Sequence, residues 1–93
     1  LYIVTIEKNL SEFAFNLAVK LRESNLTVEL DYLERSLKAQ MREANKLNSR
    51  FTLIAGGEEY QNGFLVLKNM SNGEQVNIPG DDINKLISIL KEK

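Results

Sequence analysis

A glycine-rich segment at residues 55–59 (AGGEE) follows a predicted strand, where loops that bind phosphate commonly occur. The segment lacks the Gly-Lys-Ser/Thr of a phosphate-binding loop, and its two carboxylates would repel phosphate. Glu58 and Glu59 could act as an acid–base pair only if both faced one side, but adjacent residues on an extended chain point to opposite sides. We therefore expect these residues to cap or hydrogen-bond a loop.

Cysteine and histidine are both absent from the 93 residues. Without them the chain has no disulfide, no zinc site built from thiolate or imidazole ligands, and no nucleophile activated by histidine. No serine has an evident base partner, and Asp31, Asp81 and Asp82 are better explained as helix N-caps. The sequence therefore predicts a domain with no catalytic site, metal site or cofactor of its own.

The composition is that of an ordinary soluble globular domain, with 43% hydrophobic and 27% charged residues. A length of 93 residues fits one domain spanning residues 1–93. The net charge of −1 gives no general attraction to nucleic acid, so RNA binding would require a local cluster of Lys and Arg. No apolar run approaches the roughly 20 residues that span a bilayer. No signal peptide is visible, so we expect a cytoplasmic location and no membrane partner.

Residues 29–47 contain such a basic cluster on a predicted amphipathic helix. Apolar residues at helical spacing would form the face that packs: Leu33, Leu37, Met41, Ala44 and Leu47. Basic residues would lie on the opposite face: Arg35, Lys38, Arg42 and Lys46. A solvated helix surface is the simpler interpretation of that basic face. The helix begins between Asp31 and Ser36, which are both good N-caps.

The predicted order of elements is that of an α/β domain. Strands are expected at residues 1–6, 26–30, 51–55, 64–68 and 75–78. Helices are expected from Asn9 to Asn25, in the central stretch up to Asn48, and after Asp81, with residues 58–63 as a polar turn. Right-handed crossovers place the first three strands in parallel in the order 2-1-3, and short turns make the following pairs antiparallel. Because a native chain rarely begins inside a buried strand, we expect a C-terminal domain cut from a longer protein.

Side chains suited to RNA recognition follow the predicted second strand. Ligands of open α/β sheets bind outside the carboxyl ends of the strands, where this chain carries Tyr32, Arg35, Ser36, Lys38 and Gln40. Tyrosine and arginine can stack on unpaired bases, and the other side chains can hydrogen-bond base edges or phosphates. The structural alternative makes Tyr32 a half-buried aromatic residue and Gln40 an inward side chain that bonds to backbone.

Three segments resemble the anticodon-binding domain at the C-terminus of histidyl-tRNA synthetases. They are residues 21–47 (LRESNLTVELDYLERSLKAQMREANKL), the Gly- and Glu-containing loop that ends at Gly63, and residues 65–76 (LVLKNMSNGEQV). The resemblance implies a three-layer α/β fold, in which a mixed five-stranded sheet of order 2-1-3-4-5, with strand 4 antiparallel, is flanked by three helices. It also implies a homodimeric class II parent enzyme that uses ATP and Mg²⁺ to join histidine to its tRNA at a site outside this chain.

By the same resemblance, this domain would hold the anticodon loop of the tRNA and read its bases by hydrogen bonding and stacking. The candidate RNA-binding residues are Tyr32, Arg35, Ser36, Lys38, Gln40, Glu59, Lys68 and Gln75, with Arg42 and Lys46 as weaker candidates for phosphate contacts. Gly57 stands where the family often has an acidic residue, which leaves Glu59 as the better match. Three alternatives stay open: a synthetase-like regulatory module, a docking module, and the anticodon domain of a prolyl, threonyl or glycyl relative. No DNA partner is expected.

Overall fold

The sheet has the predicted strand order. The computed structural model describes residues 1–6, 10–30 and 36–91. Its elements are β1 (Tyr2–Thr5), α1 (Ser11–Glu23), β2 (Glu29–Leu30), α2 (Leu37–Lys46), β3 (Phe51–Ala55), α3 (Gly57–Gln61), β4 (Phe64–Asn69), β5 (Gln75–Pro79) and α4 (Ile83–Lys91). The strands form one sheet in the order β2-β1-β3-β4-β5. No helix in the described ranges is long and apolar enough to cross a membrane.

Parallel and antiparallel pairing divide the sheet as the sequence predicts. β1 pairs in parallel with β2 and β3, whereas β4 pairs antiparallel with both β3 and β5. The second strand is shorter than expected, because only Glu29 and Leu30 pair with β1. The connection from β4 to β5 spans residues 70–74, which is short enough for an antiparallel hairpin.

Alternate strand residues face two different layers of helix, so the domain has three layers. Ile3 belongs to the larger core, which it shares with Leu21 of α1 and Leu86 of α4. The next residue, Val4, faces the other way and packs in a smaller cluster with Ala44 of α2. Helices α1 and α4 therefore cover one face of the sheet, and α2 covers part of the other, which we call the α2 face.

The residues predicted as a polar turn form a short fourth helix, so the expected number of three helices is wrong. Helix α3 starts at Gly57, after Gly56 has turned the chain with a φ of 135° that favours glycine. A Cβ atom on Gly56 would lie 2.7 Å from the Cβ of Ile6. Tyr60 joins α3 to the larger core, where its ring meets that of Phe13 edge-on at 5.7 Å between centroids. That contact is long-range, so the local Gly and Asn turn signals concealed the helix.

The helix starts agree with the sequence to within a few residues. Ser36 is the N-cap of α2, and its hydroxyl accepts a backbone hydrogen bond from three residues further on. The other candidate for that cap, Asp31, lies outside the described residues. The N-cap position of α1 is Leu10, which makes no side-chain cap, and the predicted cap Asn9 is also outside the described ranges. Asp82 caps α4 by accepting a hydrogen bond of 3.1 Å from a backbone N–H.

Helix α2 packs on the sheet with only part of the predicted apolar face, because Ala44 is buried and Met41 packs in the same cluster. Leu37 and Leu47 were predicted to pack, but their side chains are 40% and 48% exposed. The buried residues of α2 are Gln40 and Ala44. Leu33, another member of the predicted apolar face, falls outside the described residues. The polar side chain of Gln40 therefore occupies an inward position that the apolar pattern assigned to leucine.

Candidate nucleic-acid interface

The start of α2 brings two candidate residues to the carboxyl edge of the sheet. Its position is fixed by Gln40 in the first turn, which hydrogen-bonds to Thr5, the last residue of β1. Ser36 caps this turn, and its Oγ accepts from the N–H of Ala39 at 3.2 Å. Lys38 is exposed beside it. The first turn contains no acidic residue, so the positive end of the helix dipole and Lys38 together favour an anionic group.

Gln40 is buried, with 1% of its surface exposed. Its Oε1 accepts a hydrogen bond of 3.1 Å from the N–H of Thr5, and its Nε2 donates one of 2.9 Å to the C=O of Thr5. This is the inward, backbone-bonded arrangement that was the structural alternative at this position. Because only 1% of its surface is exposed, Gln40 could contact a base directly only if the residues that cover it moved.

Lys68 and Gln75 lie side by side on the antiparallel half of the sheet. Lys68 in β4 is directly opposite Gln75 in β5 and, on its other side, Thr52 in β3. Residues directly opposite each other share a face of the sheet. Thr52 is in turn opposite Tyr2, which packs in the cluster with α2. Lys68, half-buried, and Gln75, exposed, therefore both lie on the α2 face.

Glu59 is exposed in the first turn of α3, just beyond the carboxyl end of β3. Glu58 is exposed next to it, and the helix separates their directions by about 100°, so they do not converge as a catalytic pair. The sequence analysis expected an extended chain here, and that expectation is wrong because the residues are helical. In both conformations the two carboxylates point in different directions. A carboxylate at this edge would accept hydrogen bonds from the amino groups of bases and would repel phosphate.

The candidate residues form two groups and do not converge on one pocket. Ser36, Lys38 and Glu59 belong to the carboxyl edge of the parallel strands, whereas Lys68 and Gln75 lie level with the amino end of β1. The two levels are three strand residues apart, which corresponds to about 10 Å. An extended ligand such as a loop of RNA fits this spacing better than a small molecule does.

Helix α2 carries an exposed basic stripe. Arg42 and Lys46 are exposed and follow Lys38 at intervals of four residues, so the three side chains lie on one side of the helix. Tyr32 and Arg35 precede α2 and lie outside the described residues. Their contacts with RNA therefore stay predictions.

A cavity on the other side of the domain went unnoticed in the sequence. It has a volume of about 380 Å³ and is lined by Phe13, Tyr60, Gly63, Gly80 and Asp81. The N–H of Gly80 donates to the C=O of Gly63 at 2.8 Å, which closes one wall. The cavity depends on helix α3, which the local turn signals did not predict. The only sequence signal for it was the pair Gly63 and Gly80, since glycines allow two backbone segments to approach closely.

Known proteins similar to this chain share one kind of domain. The family described as "Anticodon binding domain" matches residues 1–93. The histidine–tRNA ligase of Caldanaerobacter subterraneus subsp. tengcongensis is 48% identical over 87 residues, which cover 94% of this chain and 21% of that protein. The histidine–tRNA ligase of Alkaliphilus oremlandii is 42% identical over 89 residues, which cover 96% of this chain and 21% of that protein. The chain thus spans about one fifth of the length of these relatives.

Solved structures share the fold over nearly the whole chain. The crystal structure of apo S. aureus histidyl-tRNA synthetase matches with a TM-score of 0.83 and 32% identity, covering 98% of this chain and 23% of that one. The RNA-binding domain of threonyl-tRNA synthetase from Cryptosporidium parvum has the same fold at 19% identity, with a TM-score of 0.76 and coverage of 96% and 22%. Since the family match extends over all 93 residues and the sheet order agrees with it, the chain belongs to the anticodon-binding domain family.

Proposed function

We propose that this chain is the anticodon-binding domain of a histidine–tRNA ligase and that it binds the anticodon loop of the tRNA. The observation that carries the proposal is the family match over residues 1–93. Relatives at 48% and 42% identity are histidine–tRNA ligases, whereas the threonyl-tRNA synthetase domain is only 19% identical. These identities favour the histidine-specific enzyme over a relative of another specificity and over a regulatory module that reads no anticodon.

The binding surface that we propose is the α2 face together with the adjoining carboxyl edge of the sheet. Ser36 and Lys38 would hold backbone phosphate at the start of α2, where the helix dipole adds to the lysine charge. Lys68 and Gln75 would offer donors to phosphate and to the edges of unpaired bases, and Glu59 would accept from base amino groups. The complete proposed set of contacts also includes Tyr32 and Arg35 for stacking, and Arg42 and Lys46 for phosphate.

The parent reaction would be the ATP-dependent attachment of histidine to its tRNA, in a homodimeric cytoplasmic enzyme. We assign the ATP and the Mg²⁺ of that reaction to the remainder of the parent protein, because this chain spans only about one fifth of its relatives. Within the part of the chain that the structure describes, no group of three or more carboxylate, thiol or imidazole side chains is placed to hold a metal ion. The contribution of this domain would therefore be binding and discrimination.

Binding of the chain to an RNA stem-loop that carries the histidine anticodon GUG tests the proposal. The affinity should exceed that for a loop with an altered anticodon, and both affinities should fall as the salt concentration rises. Lys38→Ala should weaken binding to both loops and flatten the salt dependence by about one phosphate contact. The matched control is Lys20→Ala, which removes an exposed lysine from α1 on the opposite face of the sheet.

Each outcome separates one part of the proposal from the others. Equal affinity for the two loops would contradict anticodon reading and would leave the regulatory or docking module ahead. A preference for GUG with equal losses in Lys38→Ala and Lys20→Ala would retain the function but contradict its placement on the α2 face.

A further inference from the structure

The end of β1 has backbone groups that extend past the described residues of the neighbouring strand β2. The N–H and C=O groups of consecutive strand residues point alternately to the two neighbouring strands. The N–H of Ile6 donates to the C=O of Ala55 in β3 at 3.0 Å, so the groups of the preceding Thr5 point toward the β2 side. Within the described residues, β2 pairs with β1 as far as Leu30, opposite Ile3. Thr5 lies two residues beyond that last described pair.

The side chain of Gln40 bonds both backbone groups of Thr5, as a residue of a neighbouring strand would. A primary amide carries one acceptor and a donor in nearly the arrangement of a peptide group, so it can bond both polar groups of one strand residue. Gln40 does so with Thr5, at 3.1 Å for the bond it accepts and 2.9 Å for the bond it donates. Because the side chain is buried, water does not compete for these bonds.

These two bonds also locate the start of α2. The apolar contacts of α2 come from Ala44, which is buried but small, and from Met41, which is only partly buried. Leu37, which could have packed the first turn, is 40% exposed. Apolar packing alone tolerates sliding of a helix over a sheet, whereas a pair of directed hydrogen bonds fixes one position.

We infer that Gln40 is a positioning residue for RNA binding, whose amide holds the start of α2 at the end of β1 so that Ser36 and Lys38 meet the RNA in a fixed place. The inference rests on the proposed function. The sequence analysis expected Gln40 to contact a base directly. On this inference Gln40 instead affects RNA binding by holding α2 in place.

The test compares Gln40→Met with Gln61→Met. Methionine keeps the length of the side chain and removes both hydrogen bonds, and Gln61 is exposed on α3. Thermal unfolding first identifies a temperature at which the wild type and both variants are folded, and binding to the GUG and altered stem-loops is measured there across a salt series. We expect Gln40→Met to bind both loops about tenfold more weakly, equivalent to about 1.4 kcal/mol. Its salt dependence should flatten toward that of Lys38→Ala, because the displaced start of α2 no longer holds Lys38 against phosphate.

Amide hydrogen exchange supplies a second readout. In Gln40→Met the N–H of Thr5 should exchange faster, while Gln61→Met should leave both exchange and affinity within about twofold of the wild type. Wild-type affinity in folded Gln40→Met would overturn the positioning role. Loss of the preference for GUG with little change in affinity for the altered loop would overturn it in favour of a direct base contact. Absence of a preference in the wild type would overturn the proposed function itself.

Discussion

Replacement of Gln40 by Glu changes a single group in the buried amide and should make the stability of the domain depend on pH. One carboxyl oxygen can still accept from the N–H of Thr5. The other replaces Nε2, which donates to the C=O of Thr5 at 2.9 Å, so in the ionised form two acceptors face each other. When the carboxyl group is protonated, its O–H can donate to the same C=O and restore both bonds.

The magnitude follows from the lost donor and the buried charge. A buried carbonyl left without a partner costs about 1–3 kcal/mol, and burial disfavours the ionised carboxyl further. We take the two effects together as about 3 kcal/mol, which raises the pKa of the introduced carboxyl above the ordinary glutamate value of about 4.3. Because the folded-state pKa lies above the unfolded one, the stability is complete below about pH 4.3 and is lost as the pH rises through the folded-state pKa.

Thermal unfolding across this pH range is the assay, with Gln61→Glu as the control for the same change at an exposed position. About 3 kcal/mol corresponds to a melting temperature roughly 12–24 °C lower in a domain of this size. The melting temperature of Gln40→Glu should show this loss near pH 8. Near pH 4.5, close to the ordinary glutamate pKa of about 4.3, it should approach the melting temperature of the wild type. Parallel pH profiles for the two glutamate variants would refute the hydrogen-bonding role of Gln40.

Three further outcomes can be checked by thermal unfolding. Gly56→Ala should lower the free energy of unfolding by about 3 kcal/mol or more, because of its φ of 135° and the 2.7 Å between the added Cβ and the Cβ of Ile6. Gly73→Ala, at a φ of 78° with open space around it, should lower it by about 1–2 kcal/mol, and equal losses would contradict this. Thr52→Val removes a buried hydroxyl with no partner among the described residues, so stability should hold or rise by up to about 1 kcal/mol, and a loss would reveal a bound water or ligand. Ser36→Ala should cost about 1 kcal/mol through the lost N-cap, while Ser88→Ala, exposed within α4, should not.

The candidate interface was predictable where it depends on local signals. Lys68 and Gln75 are direct partners because the hairpin turn and the two strands were both evident from residue types, and the pairing follows from the turn. Arg22 is a residue whose role was not predictable from its type. It is an arginine within a segment that resembles the family, where it could have been an RNA contact. Its guanidinium donates to the C=O of Val28 at 2.7 Å, next to β2, so its contribution is to the fold. Residue types that suit RNA binding do not by themselves separate such structural roles from contacts.

Helix α3 and the cavity beside it could not be derived locally. Two glycines and an Asn-Gly pair mark turns in isolation, and a five-residue helix is too short to hold itself together. The helix exists because the ring of Tyr60 reaches the ring of Phe13 in α1, 47 residues away along the chain. A contact of that range leaves no periodic signal.

The sequence by itself determined the hairpin and the helix ends, because each depends on near neighbours, and the strand order, because right-handed crossovers leave few arrangements. Asn25 and Asn48 illustrate this, since both adopt the left-handed conformation expected of them, with φ of 67° and 57°. Only the tertiary structure decided which face of α2 meets the sheet. Helical periodicity allowed a face containing Leu37, but the backbone groups of Thr5 needed a polar partner. The buried amide of Gln40 bonds both of them, and Met41 and Ala44 pack on the sheet from the same side of the helix.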